Sequence, residues 1–300
     1  MRLKAIHRTH YFYPYPVTEG QNEVRLLPFN DYSQSLISYN LSVTPHAKTF
    51  MYLENGGAVE HFSIVAPHTE LRIESSAVVD TLLSNPFHEL NLLVDDMELY
   101  ANVDFRDNFA EFLIPTELVP LLPDAAEIAN SVRQKFNSGA ASYLIALNTR
   151  IFELIEYSPG VTHVHSTTQD VMLNRQGVCQ DYSHVMLAAC RSQGIPARYV
   201  SGYVYSPPGD NSMHAEQSTH AWVECLLPDG RWFGLDPTNN LVVNDAYLRV
   251  HTGKDYLDAA PVRGIFRGPS AHKMEVYVHL ERLDTDLSAS EGQTVSASQH

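Results

Sequence analysis

The chain has 300 residues, enough for one large domain or two of ordinary size, and a hydrophobic fraction of 44% that can supply a substantial core. Its formal charge of −15 at pH 7 argues against sequence-independent binding to nucleic acid, which requires a basic surface. No apolar run approaches the roughly 18 residues that cross a membrane, and residues 1–8 lack the apolar core of a signal peptide. Three cysteines argue against a disulfide framework and fit a reducing compartment. We therefore expect a cytoplasmic protein that is not associated with membranes.

Residues 1–85 have the pattern of a β-rich domain. Residues 11–17 are aromatic and interrupted by prolines, which favours an edge strand followed by a turn. The sequence Asn55-Gly56-Gly57 predicts a hairpin, and strands are predicted at 38–45, 49–53, 59–65 and 71–79. Short strands with regular turns and no helical period indicate a β-sandwich-like N-terminal domain, for which we expect a scaffolding or substrate-shaping role.

Residues 86–123 mix apolar and acidic residues with several prolines, and we interpret them as a connecting segment. Helices are predicted next, the first near Asp124 and Glu127, the second over 144–155, and a third that opens with a capping box at 166–169. Strands follow at 197–205, 219–227 and 231–236, with a last strand at 274–283. Helices before an antiparallel sheet are typical of an α+β domain, which we place at 124–283, and residues 284–300 are predicted to be a disordered tail.

A further predicted helix begins at Cys179. Apolar residues from Tyr182 onward recur at helical spacing, and Gly194 followed by Ile195 and Pro196 ends the helix. The thiol therefore lies near free backbone N–H groups and the positive end of the helix dipole, which favours the thiolate form. A thiolate in that position is a nucleophile that requires a base nearby.

The turn at 228–230 determines which side chains face each other on the strands that flank it. Its Pro-Asp-Gly sequence suits a type I turn followed by a left-handed glycine. The resulting three-residue loop brings Trp222 opposite Asp236, so His220 lies on the same face as Asp236, one diagonal step away. A two-residue loop would shift the register by one and place His220 and Asp236 on opposite faces.

Cys179, His220 and Asp236 thus form a candidate nucleophile, base and orienting carboxylate. Diagonal neighbours on paired strands lie roughly 7–8 Å apart, within reach for an imidazole and a carboxylate. The imidazole would take the proton of the thiol, while Asp236 would hold the other ring nitrogen. Glu224, the rival carboxylate on that face, lies about 13 Å along the strand from His220 and is rejected as the orienting group.

Four blocks of the chain closely resemble a known family. They are Gly177-Val178-Cys179-Gln180-Asp181 and residues 194–203, 220–224 and 236–240. The family is that of the bacterial transglutaminase-like proteins, often described as candidate cysteine proteases, and residues 23–28 and 66–71 are similar to its β-rich leading domain. The resemblance extends to about residue 283. It implies a papain-like or transglutaminase-like α+β core, with helices packed on an antiparallel sheet, and a triad at Cys179, His220 and Asp236.

The chain departs from the family pattern at two places, neither of which touches the proposed triad. Lys254 stands where the family usually has arginine, and Asn55-Gly56-Gly57 replaces the more usual Gly-Asn. A lysine lacks the planar fork of an arginine, which weakens the expectation of a bidentate contact at residue 254.

The expected function is cysteine-dependent acyl transfer or hydrolysis on amide, peptide or protein substrates through a thioester acyl-enzyme, with peptidase or amidase activity favoured. Two alternatives stay open. The acceptor of the acyl group is an amine in a true transglutaminase, and a protein-binding or peptide-binding module of this fold would have no turnover at all. No cofactor is expected, and the sequence does not define the oligomeric state.

Three further residues are candidates for the substrate cleft or the oxyanion hole. Trp222 would either shield the His–Asp hydrogen bond from water or form the cleft wall. Tyr157 can donate through its hydroxyl group, and Gln180 directly follows the nucleophile. The backbone N–H of Cys179 is the expected first oxyanion donor, and Asp181 in the first helical turn is expected to be structural.

The remaining cysteines and several histidines have simpler interpretations. Cys190 lies on the apolar stripe of its helix and Cys225 faces away from the proposed base, so both are predicted to be buried core residues. A metal hypothesis rests on four histidines, His163, His165, His184 and His214. Their spacing matches no zinc signature, so no metal site is expected.

Overall fold

The computed structural model describes residues 1–88, 90, 97–135, 139–207, 209, 219–269 and 271–283. The predicted tail at 284–300 lies outside these residues. A seven-stranded antiparallel sheet is built mainly from the N-terminal region, and helices pack on a five-stranded antiparallel sheet in the rest. The expected α+β architecture with a β-rich N-terminal region is therefore confirmed. No helix within the described ranges is both long and apolar enough to cross a membrane.

The N-terminal sheet is organised around β1 (Arg2–Val24), a 23-residue strand whose two halves have different neighbours. Its first half lies between β5 (His68–Thr81) and the last strand, β14 (Lys273–Arg282). Its second half lies between β4 (Gly57–Ile64) and β13 (Val262–Arg267). One continuous strand thus belongs to both halves of the sheet.

Both halves of the sheet share one buried core. β2 (Gln34–Thr44) pairs with β5, and β3 (Thr49–Glu54) pairs with β4, so these two strands end the order β2-β5-β1-β4-β3. Side chains from the two halves pack together, including Tyr13, Val17, Val43, Phe62 and Ile73. This packing of one half on the other gives the domain its sandwich-like form.

The prediction of an edge strand at residues 11–17 is wrong for its first two residues. Tyr11 pairs with Leu71 on one side and with Met274 on the other, and Phe12 is also paired on both sides, so the start of this segment is internal to the sheet. The prolines are tolerated because pairing with β5 is interrupted between Phe12 and Val17, where no ladder hydrogen bond is lost.

The last strand also differs from the prediction. Strand pairing places residues 262–267 and 273–282 in the N-terminal sheet, whereas the domain predicted from the sequence at 124–283 includes them. Sequence order misleads here because a chain that leaves a sheet can return to it after forming another domain. The segments that form the N-terminal sheet therefore lie both before and after the helical domain in the sequence.

The second sheet supports the candidate catalytic residues. Its strands are β8 (Ala197–Val204), β9 (His220–Leu226), β10 (Trp232–Asp236), β11 (Leu241–Val242) and β12 (Tyr247–Gly253). They lie in the order β11-β10-β9-β8-β12. The alternate residues Ala221, Val223 and Cys225 of β9 face the main hydrophobic core, whereas Trp222 packs in a smaller cluster on the other face.

Helices pack around the main hydrophobic core, to which this sheet also contributes. They are α1 (Val103–Asn108), α2 (Pro123–Lys135), α3 (Ala140–Leu154), α4 (Thr168–Asn174), α5 (Cys179–Ser192) and α6 (Tyr256–Ala259), and the short strands β6 (Glu156–Tyr157) and β7 (Gln176–Gly177) pair in parallel. The most buried helix is α5, in which every residue from 180 to 191 is buried. An element enclosed on all sides holds the groups at its start in fixed positions.

Two expectations for this half require correction. Residues 86–123 are more than a connection, because Tyr100 and Leu118 are buried in the main core and the Tyr100 hydroxyl donates to the Leu226 carbonyl at 2.8 Å. The capping box of α4 uses Thr167 and Asp170, one residue later than predicted. The hydroxyl of Ser166 is unavailable as a cap because it accepts the backbone N–H of His163 at 3.0 Å.

Polar and apolar contacts join the N-terminal sheet to β12. The Thr252 N–H donates to the Gly56 carbonyl at 2.8 Å. The backbone N–H of Arg249 donates to the side chain of Gln34 at 2.9 Å, and the Arg249 guanidinium pairs with Asp31. Leu248 and Val250 pack against Leu3, Ala5, Ala77 and Val79.

Gly202 permits the close approach of β8, β12 and the Trp222 ring. A Cβ at this position would lie 2.2 Å from the Leu248 carbonyl oxygen and 2.6 Å from the Trp222 ring. We expect Gly202→Ala to lower the free energy of unfolding by about 3 kcal/mol, because the backbone of Leu248 cannot move away from the new methyl group without disturbing the strand pairing. Urea denaturation measures the loss.

Gly160→Ala is the matched control for this substitution. A Cβ there would meet nothing within 4 Å, and only the left-handed φ of +83° would cost stability, by about 1 kcal/mol. A loss at position 202 no larger than the loss at position 160 would contradict the close packing.

Candidate active site

The predicted nucleophile, Cys179, is the first residue of α5 and is half-buried. Asp181 holds the entry to this helix, because its Oδ2 accepts the backbone N–H of Val178 at 2.7 Å and the Thr162 hydroxyl at 2.6 Å. The carboxylate thus supplies the polar contact that a valine at the N-cap position cannot. The predicted helix start and the structural use of Asp181 are confirmed.

The hairpin between β9 and β10 has the predicted three-residue loop. The Leu227 N–H donates to the Arg231 carbonyl at 2.8 Å, and Gly230 has a φ of +87°. The strand pairs continue this register from Leu226 with Trp232 to Val223 with Leu235. The predicted register is therefore confirmed.

The side chains of His220 and Asp236 form a buried hydrogen bond, with 2.7 Å between Nε2 and Oδ2. They are only 5% and 0% exposed. The side chain of Cys179 lies close enough to this imidazole to raise its pKa. Since Nε2 is occupied by Asp236, Nδ1 is the ring nitrogen left for the thiol. The structure thus brings the three groups together, and their catalytic roles stay a prediction.

Asp236 accepts hydrogen bonds from more donors than the imidazole alone. Besides the bond with His220, Oδ2 of Asp236 accepts hydrogen bonds from Nδ2 of Asn239 at 2.7 Å and from the hydroxyl of Tyr247 at 2.8 Å. Oδ1 accepts the backbone N–H groups of Thr238 at 2.9 Å and of Asn239 at 3.3 Å. Neither Asn239 nor Tyr247 is among the site residues predicted from the sequence. An aspartate at the start of a turn commonly accepts hydrogen bonds from the next few residues, and this pattern could have indicated Asn239. Tyr247 reaches Asp236 from β12, and no local sequence pattern indicates that contact.

These contacts favour the charged forms of the His220–Asp236 pair. Burial alone would lower the pKa of His220, but the charge of Asp236, its hydrogen bond with the imidazole and the nearby Cys179 side chain raise it to about 10. Burial alone would raise the pKa of the Asp236 carboxyl, but the charge of His220 and hydrogen bonds from His220, Asn239 and Tyr247 hold it below its ordinary value. At neutral pH the site therefore contains an imidazolium next to a carboxylate.

Trp222 packs beside this pair and is 1% exposed. Its ring centre lies 6.2 Å from that of His220, with the planes 27° apart, and 5.3 Å from that of Tyr247 in an edge-on contact. A buried indole in this position favours shielding of the His–Asp hydrogen bond over an exposed cleft wall. Its role in catalysis stays a prediction.

The other two cleft candidates lie close to the start of α5. Tyr157 is half-buried in β6, opposite Gly177 of β7. Gln180 is buried, and its Nε2 donates to the carbonyl of Val164 at 3.2 Å, which fixes the adjacent loop. Oxyanion or substrate contacts by Tyr157 and Gln180 stay predictions.

Glu224 and the two other cysteines have structural surroundings. Glu224 accepts hydrogen bonds from Arg198 at 2.6 Å and from Arg249 at 2.9 Å, which supports its rejection as the orienting carboxylate. Cys190 and Cys225 are buried in the main core with their sulfur atoms 3.6 Å apart, as predicted.

No three or more His, Cys, Asp or Glu side chains among the described residues are grouped so that they could hold a metal ion. His184 is buried, its Nε2 accepts the backbone N–H of Tyr256 at 3.2 Å, and burial lowers its pKa to about 3. His163 and His165 are exposed, and His214 lies outside the described residues.

Two family models match the chain. The model of the transglutaminase-like superfamily matches residues 126–237, and the model of the bacterial transglutaminase-like N-terminal region matches residues 3–80. An uncharacterised protein of Mycobacterium leprae is 34% identical over 94% of this chain and 99% of its own length. The chain belongs to the bacterial transglutaminase-like superfamily. The family resemblance drawn from the sequence is confirmed.

Other proteins similar to this transglutaminase-like protein carry functional descriptions. A structure from Cytophaga hutchinsonii, described as a candidate cysteine protease, has a TM-score of 0.70 and 22% identity, and covers 96% of this chain and 92% of that chain. This similarity shows the fold. A protein-glutamine gamma-glutamyltransferase of Pseudomonas aeruginosa is 31% identical over 121 residues, which are 39% of this chain and 18% of that protein.

The raised pKa of His220 predicts how the stability of this transglutaminase-like protein depends on pH. A folded-state imidazolium contributes its full stabilisation below the ordinary pKa of 6.5 and loses it as the pH rises through about 10. We expect the difference in unfolding free energy between wild type and His220→Phe to shrink across that interval. Urea denaturation at several pH values measures it, with the exposed His165→Ala as control. A difference that does not change with pH would contradict the raised pKa.

The hydroxyl of Tyr247 predicts a second effect on stability. We expect Tyr247→Phe to lower the unfolding free energy by about 1.5–3 kcal/mol at neutral pH, because a hydrogen bond to a charged group is lost. The pKa of Asp236 is held low, so this loss is present above the ordinary carboxyl pKa and shrinks as the pH falls through the folded-state pKa.

Tyr182→Phe is the matched control for Tyr247→Phe. Its hydroxyl donates to the neutral Ile155 carbonyl at 2.6 Å, so its loss should not vary over the acid range. Denaturation of both variants from neutral to acidic pH makes the comparison. Equal pH dependence in the two variants would contradict a specific effect on Asp236.

Proposed function

We propose that this protein is a cysteine-dependent enzyme that forms a thioester with the acyl group of an amide or peptide substrate and acts as a peptidase or amidase. The observation that carries the proposal is the position of His220, which is hydrogen-bonded to Asp236 through Nε2 and lies close enough to the Cys179 side chain for that side chain to raise the pKa of the imidazole. An imidazole held between a thiol and a carboxylate activates the sulfur as a nucleophile.

The proposed mechanism begins with transfer of the proton of the Cys179 thiol to His220. The raised pKa of His220 makes the imidazole a strong proton acceptor. Cys179 is the first residue of α5, so the free backbone N–H groups and the positive end of the helix dipole face the negative charge that develops on sulfur. The thiolate formed in this way is the nucleophile of the first chemical step.

The first chemical step transfers the acyl group to sulfur. The Cys179 thiolate attacks the substrate carbonyl carbon, a C–S bond forms, and the carbonyl electron pair moves to oxygen. The backbone N–H of Cys179 is the expected first donor to that oxyanion. When the C–N bond breaks, His220 gives its proton to the leaving amine and the acyl group remains as a thioester.

The second step releases the acyl group to an acceptor. The neutral imidazole of His220 takes a proton from the acceptor as it attacks the thioester, the C–S bond breaks, and the thiolate and imidazolium are restored. Asp236 stabilises the imidazolium and keeps the ring oriented. Water as acceptor yields a carboxylic acid, and an amine yields a new amide.

An amine acceptor is the second candidate function. The observation that favours it is the similarity to the Pseudomonas aeruginosa glutamyltransferase, although the matched residues are only 18% of that protein. A binding module without turnover is the weaker alternative, because a peptide cleft has no need for a fully buried carboxylate with a charged imidazole.

Thiol reactivity tests the activated nucleophile. We expect iodoacetamide at near-neutral pH to label Cys179 faster than a free cysteine, and His220→Ala to lose this advantage because the imidazole that accepts the thiol proton is gone. Cys179→Ala is the blank, and the buried Cys190 and Cys225 are internal references in the mass spectrum. Labelling of Cys179 no faster than a free thiol would contradict the proposal.

Turnover distinguishes the candidate functions. The protein is incubated with a peptide and amide library, with and without added amine, and products and adducts on Cys179 are identified by mass spectrometry. We expect Asp236→Asn to lower the turnover rate by orders of magnitude, roughly 10⁴-fold by analogy with serine-protease triads, while the fold is kept. Near-wild-type turnover would remove Asp236 from the mechanism, and tight binding without product would support the binding module.

A further inference from the structure

The outer edge of β3 has no partner strand among the strands that the structure describes. β3 pairs with β4 on one side and ends the strand order on the other. Four of its six residues are large, apolar and exposed, namely Phe50 (58%), Met51 (62%), Tyr52 (41%) and Leu53 (79%). Because a regular apolar edge offers free backbone groups next to apolar side chains, it is a template for pairing with another chain.

The strand at the other end of this order, β2, is built differently. β2 contains an irregularity in register between Leu36 and Ser38, and most of its exposed residues are polar. Bulges and polar side chains are the usual means of blocking edge pairing. β3 keeps a regular register from Thr49 to Glu54, and its only charged residue stands at its end. Of these two edges, β3 is therefore the one suited to pairing.

The hairpin between β3 and β4 determines which backbone groups of β3 are free. Glu54 pairs with Gly57 across a two-residue loop, so these two residues are hydrogen-bonded to each other. Hydrogen-bonded and non-hydrogen-bonded pairs alternate along an antiparallel ladder. The N–H and C=O groups of Thr49, Met51 and Leu53 therefore point toward the free edge.

We propose that β3 pairs antiparallel with β3 of a second copy of this chain, about a two-fold axis at Met51. Only outward-pointing residues can form the hydrogen-bonded pairs of the new ladder. Placing Met51 opposite the partner's Met51 also places Thr49 opposite the partner's Leu53, which satisfies all the free groups. The resulting interface is self-complementary and closed, as a two-fold dimer requires.

The side chains are complementary in this register. Phe50 lies opposite the partner's Tyr52, and aromatic cross-strand pairs are favourable. Lys48 lies opposite the partner's Glu54, and its Nζ is 5.0 Å from the Phe50 ring centre, which places it on the same face. The Glu54 side chain is 40% exposed although Arg25 lies 3.4 Å away. A shift of the register by two residues removes the match between Lys48 and Glu54.

The size of the contact predicts a weak dimer. Six residues on each strand bury less than the roughly 1,600 Å² of a standard interface, so we expect a dissociation constant in the micromolar range. The association must then be measured over a range of protein concentrations. A dissociation constant in this range can be measurably raised or lowered by charge substitutions.

Charge reversal in the full chain tests the register. In sedimentation velocity, we expect the wild type to shift from monomer to dimer with concentration. Lys48→Glu and Glu54→Lys should each raise the dissociation constant about tenfold or more, because two opposite-charge pairs become two like-charge pairs. An equimolar mixture of the two variants should associate again, and so should the double variant, which rules out misfolding as the cause of the loss.

Two further measurements complete the test. Amide hydrogen exchange at Met51 and Leu53 should slow as the protein concentration rises, and Glu70→Lys, at an exposed glutamate of β5, should leave the dimer unchanged. A monomer at every concentration, a dimer insensitive to both charge reversals, open-ended aggregation, or protection of β3 only after addition of a peptide would each overturn the proposal.

Discussion

The structure around the candidate site depends on the compensation of one buried charge, the carboxylate of Asp236. An unpaired carboxylate in a protein interior costs several kcal/mol. Here an imidazolium, a phenol, an amide side chain and two backbone N–H groups offset that cost. The donors come from β9, from the turn after β10 and from β12, so one carboxylate fixes three parts of the sheet relative to one another. The groups proposed to set the chemistry are thus also structural.

A second buried carboxylate extends the same principle toward the N-terminal sheet. Glu224, farther along β9, is held between Arg198 of β8 and Arg249 of β12. Arg249 in turn pairs with Asp31, which precedes β2. Because a shift of any of these strands would leave a buried charge without its partner, the polar contacts specify one register for the sheet and one position for the N-terminal region.

Local rules were sufficient where the contacts that decide a conformation are close in sequence. The Pro-Asp-Gly turn predicted the register that joins His220 to Asp236, and the apolar spacing predicted α5. The same local rules failed where the contact joins separate elements. Examples are the hydrogen bond from Tyr247 to Asp236 and the pairing of β14 with β1. A competing local bond displaced the cap of α4 by one residue, because the Ser166 hydroxyl binds His163 instead. Pairings between distant segments have no local pattern, so the sequence alone does not reveal them.

Leu3 and Arg282 are neighbours on adjacent strands, although the whole helical core separates them along the chain. During synthesis, β1 therefore leaves the ribosome long before β13 and β14 exist, and one of its edges stays unpaired until those two strands have emerged. Closure of that edge is a late folding event, and a protein shortened before residue 262 would expose β1 to intermolecular pairing.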